Sequence, residues 1–270
     1  NGTYALTGND VNGVFSFNDT ITSGTYAITG NNIDAAQNFG DTIANGTYTL
    51  TGNNIGVTGT GIDPYFSSVS VLLHMNGSDT STTITDSSSN AITVTAYGNA
   101  QISTAQSKFG GSSAYFDGTG DYLMSASSLT PLNMGTGDFT VEAFIRPTNN
   151  VSSYKGLIGI SNADADTLYI FDGQLVWYNT GTFAGTIAVN NWYHVAASRQ
   201  GSNLRVFIDG TLVNTSTNSN NITFGRLRIG SNGANNSEWF YGWMDEVRIT
   251  KGVARYTANF TAPTDPFPGN

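Results

Sequence analysis

"WYHVAASRQGSNLRVFIDGTLVNTST", residues 192–217, holds three short apolar-rich runs, "WYHVAASR", "LRVFIDG" and "TLVNTST", divided by turn residues. In an extended chain alternate side chains share a face, so Trp192 and His194 stand together. His194 reads there as a packed, hydrogen-bonded structural histidine. In "IDG" the Asp can bond the nearby backbone and the Gly can take a positive φ, which marks a turn between the second and third runs.

The same texture runs from about residue 67 to the end. "VSVLLHM", "AITVTAY", "SAYFDG", "FTVEAFIRP", "KGLIGIS", "TLYIFDG", "QLVWYN", "RLRIGS" and "GWMDEVRIT" are further strand candidates, nearly all separated by Gly, Asn, Asp or Ser. Only "VARYTA" (253–258) offers a helical turn. Many short strands at close spacing predict an all-β fold, an antiparallel sandwich or barrel. So many strands in about 200 residues favour two large packed sheets, a jelly roll.

The first 60 residues are organised differently. "GTYALTGND" (2–10) returns as "GTYAITGNN" (24–32) and "GTYTLTGNN" (46–54), and "FNDTI" (17–21) returns as "FGDTI" (39–43), always at an offset of 22. Each unit predicts one strand with Tyr and Leu or Ile alternating, a Gly-Asn turn, and a shorter strand at Asp-Thr-Ile. A unit this small cannot bury its apolar face alone and must stack on its neighbours, as a solenoid or as paired hairpins. Asn1-Gly2 matches Asn45-Gly46, so further copies are expected upstream. "GVTGTGIDPYF" (56–66) reads as a Gly-rich linker ending in Asp-Pro. The expected division is a repeat stalk over 1–60, a linker over 61–66 and a jelly roll over 67–270.

Composition narrows the function. Only 11% of the 270 residues are charged, and the net charge is −9. That balance argues against nucleic acid or an anionic membrane as partner. The apolar runs are all short, which predicts no membrane span. The 39% hydrophobic content, with 15 Phe and 13 Tyr, supports a packed core. A surface of Asn, Thr, Ser and Gly suits an extracellular setting, and the absence of Cys favours a bacterial or viral source over a eukaryotic secreted one. The sequons at Asn76, Asn150, Asn221 and Asn259 are no more than so Asn- and Thr-rich a chain produces by chance.

"GWMDEVRIT" (242–250) poses a chemical question. Strict alternation places Asp245 with Trp243, Val247 and Ile249, among core residues, where a bare carboxylate is costly. It therefore needs a cation, an Arg, or a loop backbone to cap.

"SAYFDGTGDYL" (113–123), "GDFTVEAFIRPT" (137–148), "NNWYHVAASRQGSNLRVFIDGTLV" (190–213) and "YGWMDEVRITKGVARY" (241–256) together resemble the laminin G-like, concanavalin A-like lectin/glucanase superfamily over about 200 residues. "SKFGGSSAYFDGTGDYL" and the closing "TKGVARYTANFTAPTDPFP" are similar to copies in tailed-bacteriophage structural proteins, with bacterial surface proteins as the competitor. The resemblance implies a structural calcium between an acid of the last long strand and the start of the domain. Asp245 would then pair with "HMNGSD" (74–79), through Asn76 and Asp79, although Asn76 stands where relatives commonly have Asp. "SNADADT" (161–167), with Asp164 and Asp166, is a second calcium candidate.

The resemblance also implies glycan binding. "SNGANNSEWFYGW" (231–243) offers Asn235 and Asn236 beside Trp239 and Tyr241, and Trp177 and Tyr178 are alternatives. The competing expectation is that these aromatics fill the sandwich edge or meet a neighbouring subunit. Hydrolysis is disfavoured: a glycosidase needs two carboxylates about 5 to 9 Å apart, and the three Glu, at 142, 238 and 246, form no cluster in sequence. No catalytic residue is assigned. The chain reads as a noncatalytic virion or cell-surface appendage protein, a phage fibre or capsid decoration. Its expected partners are a host surface glycan and other virion or appendage subunits, with a homo-oligomer usual for a fibre. The alternatives are a purely structural subunit and, last, a secreted glycoside hydrolase.

Overall fold

The structure is a computed structural model. It describes the strands of residues 2–7, 10–16, 24–29, 32–38, 46–51 and 54–60 as backbone, and residues 63–269 except 150–152, 162–165, 179, 181–182, 224 and 233–237. The chain divides into two compact units, Asn1–Asp63 with Pro268–Asn270, and Pro64–Phe267.

In the first unit the strands are β1 (Gly2–Thr7), β2 (Asp10–Ser16), β3 (Gly24–Thr29), β4 (Asn32–Asn38), β5 (Gly46–Thr51) and β6 (Asn54–Thr60). β1, β3 and β5 form one parallel sheet, and β2, β4 and β6 a second. The register matches like with like, Tyr4 on Tyr26 on Tyr48 and Val11 on Ile33 on Ile55. Each sheet thus takes one strand from every 22-residue unit, the solenoid arrangement rather than paired hairpins. The second strand of each unit begins directly after the Gly-Asn turn, earlier than expected, and the Asp-Thr-Ile stretches at 19–21 and 41–43 lie outside the described residues. β6 also takes up the first residues of the expected Gly-rich linker.

The second unit is the jelly-roll sandwich. Its strands are β7 (Val69–Leu73), β8 (Val94–Tyr97), β9 (Gln101–Ser103), β10 (Ser113–Asp117), β11 (Tyr122–Ser125), β12 (Phe139–Pro147) and β13 (Lys155–Ser161). There follow β14 (Thr167–Phe171), β15 (Gln174–Trp177), β16 (Tyr193–Gln200), β17 (Asn203–Ile208), β18 (Thr211–Thr217), β19 (Gly225–Ile229) and β20 (Tyr241–Lys251). One antiparallel sheet runs β18-β17-β16-β12-β20-β10-β9, with β7 beside β20 as its eighth strand; the other runs β15-β14-β13-β19-β11-β8. No α-helix occurs among the described residues, and "VARYTA" is not helical. Correspondingly, no helix there is long and apolar enough to cross a membrane.

Local chemistry sets the hairpins. Asp172-Gly173 and Asp209-Gly210 have φ of 49° and 69°, and 47° and 76°, the two-residue left-handed turn that Asp-Gly favours. The main core lies between the sheets, where Phe139, Val141, Ile145, Leu168, Trp177, Val195, Val206, Leu227 and Ile249 are buried. Phe139 and Trp177 lie 5.4 Å apart at its heart. A second, smaller core forms on the other face of the eight-stranded sheet: Val69, Leu72, Phe144 and Phe267, joined by Phe66, Phe109 and Trp192.

β20 departs from strict alternation. Against β12, Glu142 faces Arg248 but Phe144 faces Asp245, so β20 carries one extra residue, and Glu246 takes a φ of 50°. This β-bulge shifts the parity of the strand. Met244, Val247 and Ile249 therefore enter the main core, while Trp243, Asp245 and Arg248 face the other side. The expectation that Asp245 shares a face with Val247 and Ile249 is corrected by that single inserted residue.

Candidate functional site

Asp245 has no exposure, yet it is satisfied. Its Oδ2 accepts the backbone N–H groups of Lys108 (2.8 Å) and Phe109 (3.0 Å), and its Oδ1 accepts that of Glu246 (3.0 Å). Burial pushes its carboxyl up to about 7, with the N–H groups of Phe109 and Lys108 pulling the other way. Asp79 Oδ1 accepts the Thr104 N–H at 3.0 Å, and the exposed Asn76 side chain lies against Gly110, leaving no room for a Cβ there. All three residues expected to bind calcium thus abut one loop, 104–110, and two of them cap its backbone.

That donor set does not fit calcium. The cation takes six to eight oxygen ligands, whereas three backbone N–H groups occupy Asp245 and another occupies Asp79. Among the described residues no group of three or more His, Asp or Glu side chains converges as metal ligands would. In the second candidate, Asp166 is buried and accepts from Ser161 Oγ (2.7 Å) and Asn220 Nδ2 (3.3 Å), while Asp164 lies outside the described residues.

The carboxylates that could do chemistry are equally engaged. Glu142, fully buried, accepts Arg248 Nε (2.9 Å) on Oε1, and on Oε2 it meets His194 Nε2 (3.0 Å) and the Tyr256 hydroxyl (2.8 Å). Burial alone would raise its pKa; Arg248, with His194 and Arg255, reverses this and holds the carboxyl far below the usual range. Glu246 meets His74 Nδ1 at 2.9 Å and accepts the Phe267 N–H at 2.9 Å. His74 is therefore a paired histidine, with its pKa raised chiefly by that bond. Sequence reasoning placed His194 in a structural role but missed its partner, because Glu142 and Arg248 are brought opposite one another only by strand pairing.

An open surface feature lies on the outer face of the six-stranded sheet: a groove of about 700 Å³ at the β8–β11–β19 end. Antiparallel pairing sets Tyr97 opposite Tyr122 and Thr95 opposite Met124. The two tyrosine rings stack at 4.7 Å, nearly parallel, and Arg228 stands over Tyr122 at 4.8 Å. Tyr97 lines the groove and remains 37% exposed, so a backed aromatic surface faces solvent. One wall is the loop 86–93. Asp86 ties it down by accepting the N–H groups of Leu72, Ser88 and Ile92 at 2.8–2.9 Å, and the Ser88 hydroxyl. Asn90 donates through Nδ2 to the carbonyls of Val69 and Ser70, which leaves its carbonyl oxygen as an acceptor at the groove. Arg226, half-buried, is the one charged residue among the described residues lining the groove, and its Nε has no hydrogen-bond partner.

The residues expected to bind glycan are not gathered here. Asn235 and Asn236 lie outside the described residues. Trp239 is half-buried, and Tyr241 belongs to the eight-stranded sheet, where it packs edge-on to Tyr115 at 6.3 Å. Trp177 is fully buried against Phe139, so it presents no ring to a sugar; its β15 position alternates inward. Tyr178 points the opposite way, into a half-buried cluster with Tyr154 and Tyr169 on the outer face. Sequence reasoning overlooked the groove because "AITVTAY" read as an ordinary strand and "GDYL" did not stand out as one.

The family model of the concanavalin A-like lectin/glucanases superfamily matches residues 117–255. The chain belongs to that superfamily. Among solved structures, this superfamily member is similar to the binding domain of Paraclostridial Mosquitocidal Protein 1, at 16% identity and a TM-score of 0.52, over 69% of this chain and 49% of that one. It is also similar to domain 4 of AbnA, an extracellular arabinanase from Geobacillus stearothermophilus in complex with arabinotriose, at 17% identity and a TM-score of 0.51, over 68% and 93%. A third is the botulinum neurotoxin serotype D/C binding domain, at 15% identity and a TM-score of 0.52, over 69% and 49%. At these identities the likeness is one of fold, and the chain spans about half the length of the toxin binding domains. No curated protein matches the sequence.

Proposed function

We propose that this chain is a noncatalytic glycan-binding module of an extracellular appendage, with the Tyr97 groove as its sugar site. The observation that carries this reading is the Tyr97–Tyr122 stack, an exposed aromatic platform inside an open groove with Asn90 at its wall. A sugar ring buries its apolar C–H face on such a platform while its hydroxyls reach neighbouring polar groups. Among the described residues that line the groove there is no carboxylate, and glycoside hydrolysis needs a pair of acids. Glu142 and Glu246 are buried in other bonds, and Glu238 meets Asn232. The arabinotriose-bound relative of the same fold is in keeping with sugar recognition.

The bacteriophage-like closing sequence and the 22-residue units support a fibre or capsid decoration on a virion or bacterial surface, with the repeats as spacer and further appendage subunits as neighbours. One observation favours the alternative of a purely structural subunit: Tyr115, Tyr241 and Trp243 form a half-buried aromatic group on the eight-stranded sheet, suited to protein contact. A glycan array of the parent and of Tyr97→Ala separates the two. Loss of the platform should weaken binding by about 2 kcal/mol, roughly thirtyfold. Binding that survives Tyr97→Ala would place the site elsewhere, and no binding by the parent would favour the structural subunit.

A further inference from the structure

We infer that the groove selects glycans bearing an anionic group, a carboxylate or a sulfate, and that Arg226 is the residue that recognises it. The inference rests on the sugar-binding reading of the same groove. Arg226 lines the groove and forms no hydrogen bond or ion pair among the described residues, and its Nε is buried without an acceptor. Among the described residues no Asp or Glu lines the groove to pair with it. Elsewhere in the sandwich the buried arginines Arg199, Arg228 and Arg248 have partners. Arg248 meets Glu142, and Arg199 donates to Gly137, Gly135, Asn218 and Asn220. Arg228 stands over Tyr122 and reaches Met124.

Two further charges lie near. Lys251 Nζ donates to the carbonyl of Thr130, the residue between groove-lining Leu129 and Pro131, and so adds positive potential at the rim. Asp86 stands behind the wall loop, but four donors occupy its carboxylate. The local balance is therefore cationic on a chain whose net charge of −9 would otherwise repel an anion. A guanidinium binds planar carboxylate or sulfate oxygens through paired, charge-assisted hydrogen bonds. With Tyr97 holding the ring, that pairing would read the acid group beside it.

The test compares one neutral oligosaccharide with its uronate-containing and its sulfated counterparts, by calorimetric titration against the whole chain at fixed salt. The parent should bind at least one acidic form about tenfold more tightly than the neutral form, as a charge-assisted bond allows. In Arg226→Gln that ratio should fall to near one while neutral binding persists, and Arg226→Lys should retain part of it. Which acidic form gains tells carboxylate from sulfate. Equal binding of neutral and acidic sugars by the parent, with Tyr97→Ala still weakening both, overturns the anion selectivity alone. A preference that survives Arg226→Gln overturns the assignment to Arg226. Absence of any binding removes the sugar-binding reading and this inference with it.

Discussion

Asp245 shows how one carboxylate can be costly in one frame and satisfied in another. Its three N–H donors replace the water it loses on burial. A folded-state pKa of about 7 against an ordinary 3.8 means that the folded protein holds a proton the unfolded chain has released between those values. Stability from this group is then present at low pH and is lost as pH rises through about 7. His74, also raised, has the same sign: its contribution is present below 6.5 and is lost as pH rises through its folded value. The melting temperature should therefore decline as pH rises from about 4 through about 7, and further as His74 loses its proton. Asp245→Asn should flatten the lower part of that decline and His74→Gln the upper part, as scanning calorimetry would show. Calcium and chelator should give the parent the same melting curve; a higher melting temperature in calcium would restore a metal site. The need for a partner at Asp245 was legible in the sequence. The face on which it stands was not, because a bulge at Glu246 leaves no mark in an alternating pattern.

Elements tell a similar story. β12, β13 and β18 have the limits their apolar runs suggest, although β12 and β13 are buried on both faces and β18 lies largely open. β9 and β11 are only three and four residues long and were hidden inside loop-like sequence. Pairing across elements was the harder part to read. Nothing near Glu142 in sequence announces Arg248 or Tyr256, yet the pairing of β12 with β20 brings Arg248 within 2.9 Å of it and the segment after β20 brings Tyr256 within 2.8 Å. Removing the acid would take a buried partner from Arg248, His194 and Tyr256 at once, so Glu142→Ala should cost about 3–5 kcal/mol in denaturant unfolding. A change under about 1 kcal/mol would mean that water reaches the guanidinium. Because Glu142 is held far below its ordinary value, the stability it gives is present above pH 4.5 and is lost only as pH falls into the strongly acid range.

At the scale of the molecule, both architectures were legible: one from a 22-residue period, the other from strand density and family resemblance. The groove was not, because it is assembled from β8, β11, β19 and a loop that are distant in sequence. Pro64–Phe267 contains its own two cores and all the strands of both sandwich sheets. That fragment should fold alone with a single cooperative transition, and its circular dichroism should show β-structure without the repeat unit. Aggregation of the fragment at every pH would instead show that the sandwich needs the repeats. The position of β20 carries a consequence for synthesis. It is the last of the sandwich strands to be made, yet it lies inside the eight-stranded sheet, between β12 on one side and β10 with β7 on the other. A nascent chain must hold two unmatched strand edges apart until residues 241–251 emerge, so closure of the sheet waits for β20 and products that stop short of it are exposed to edge-to-edge association.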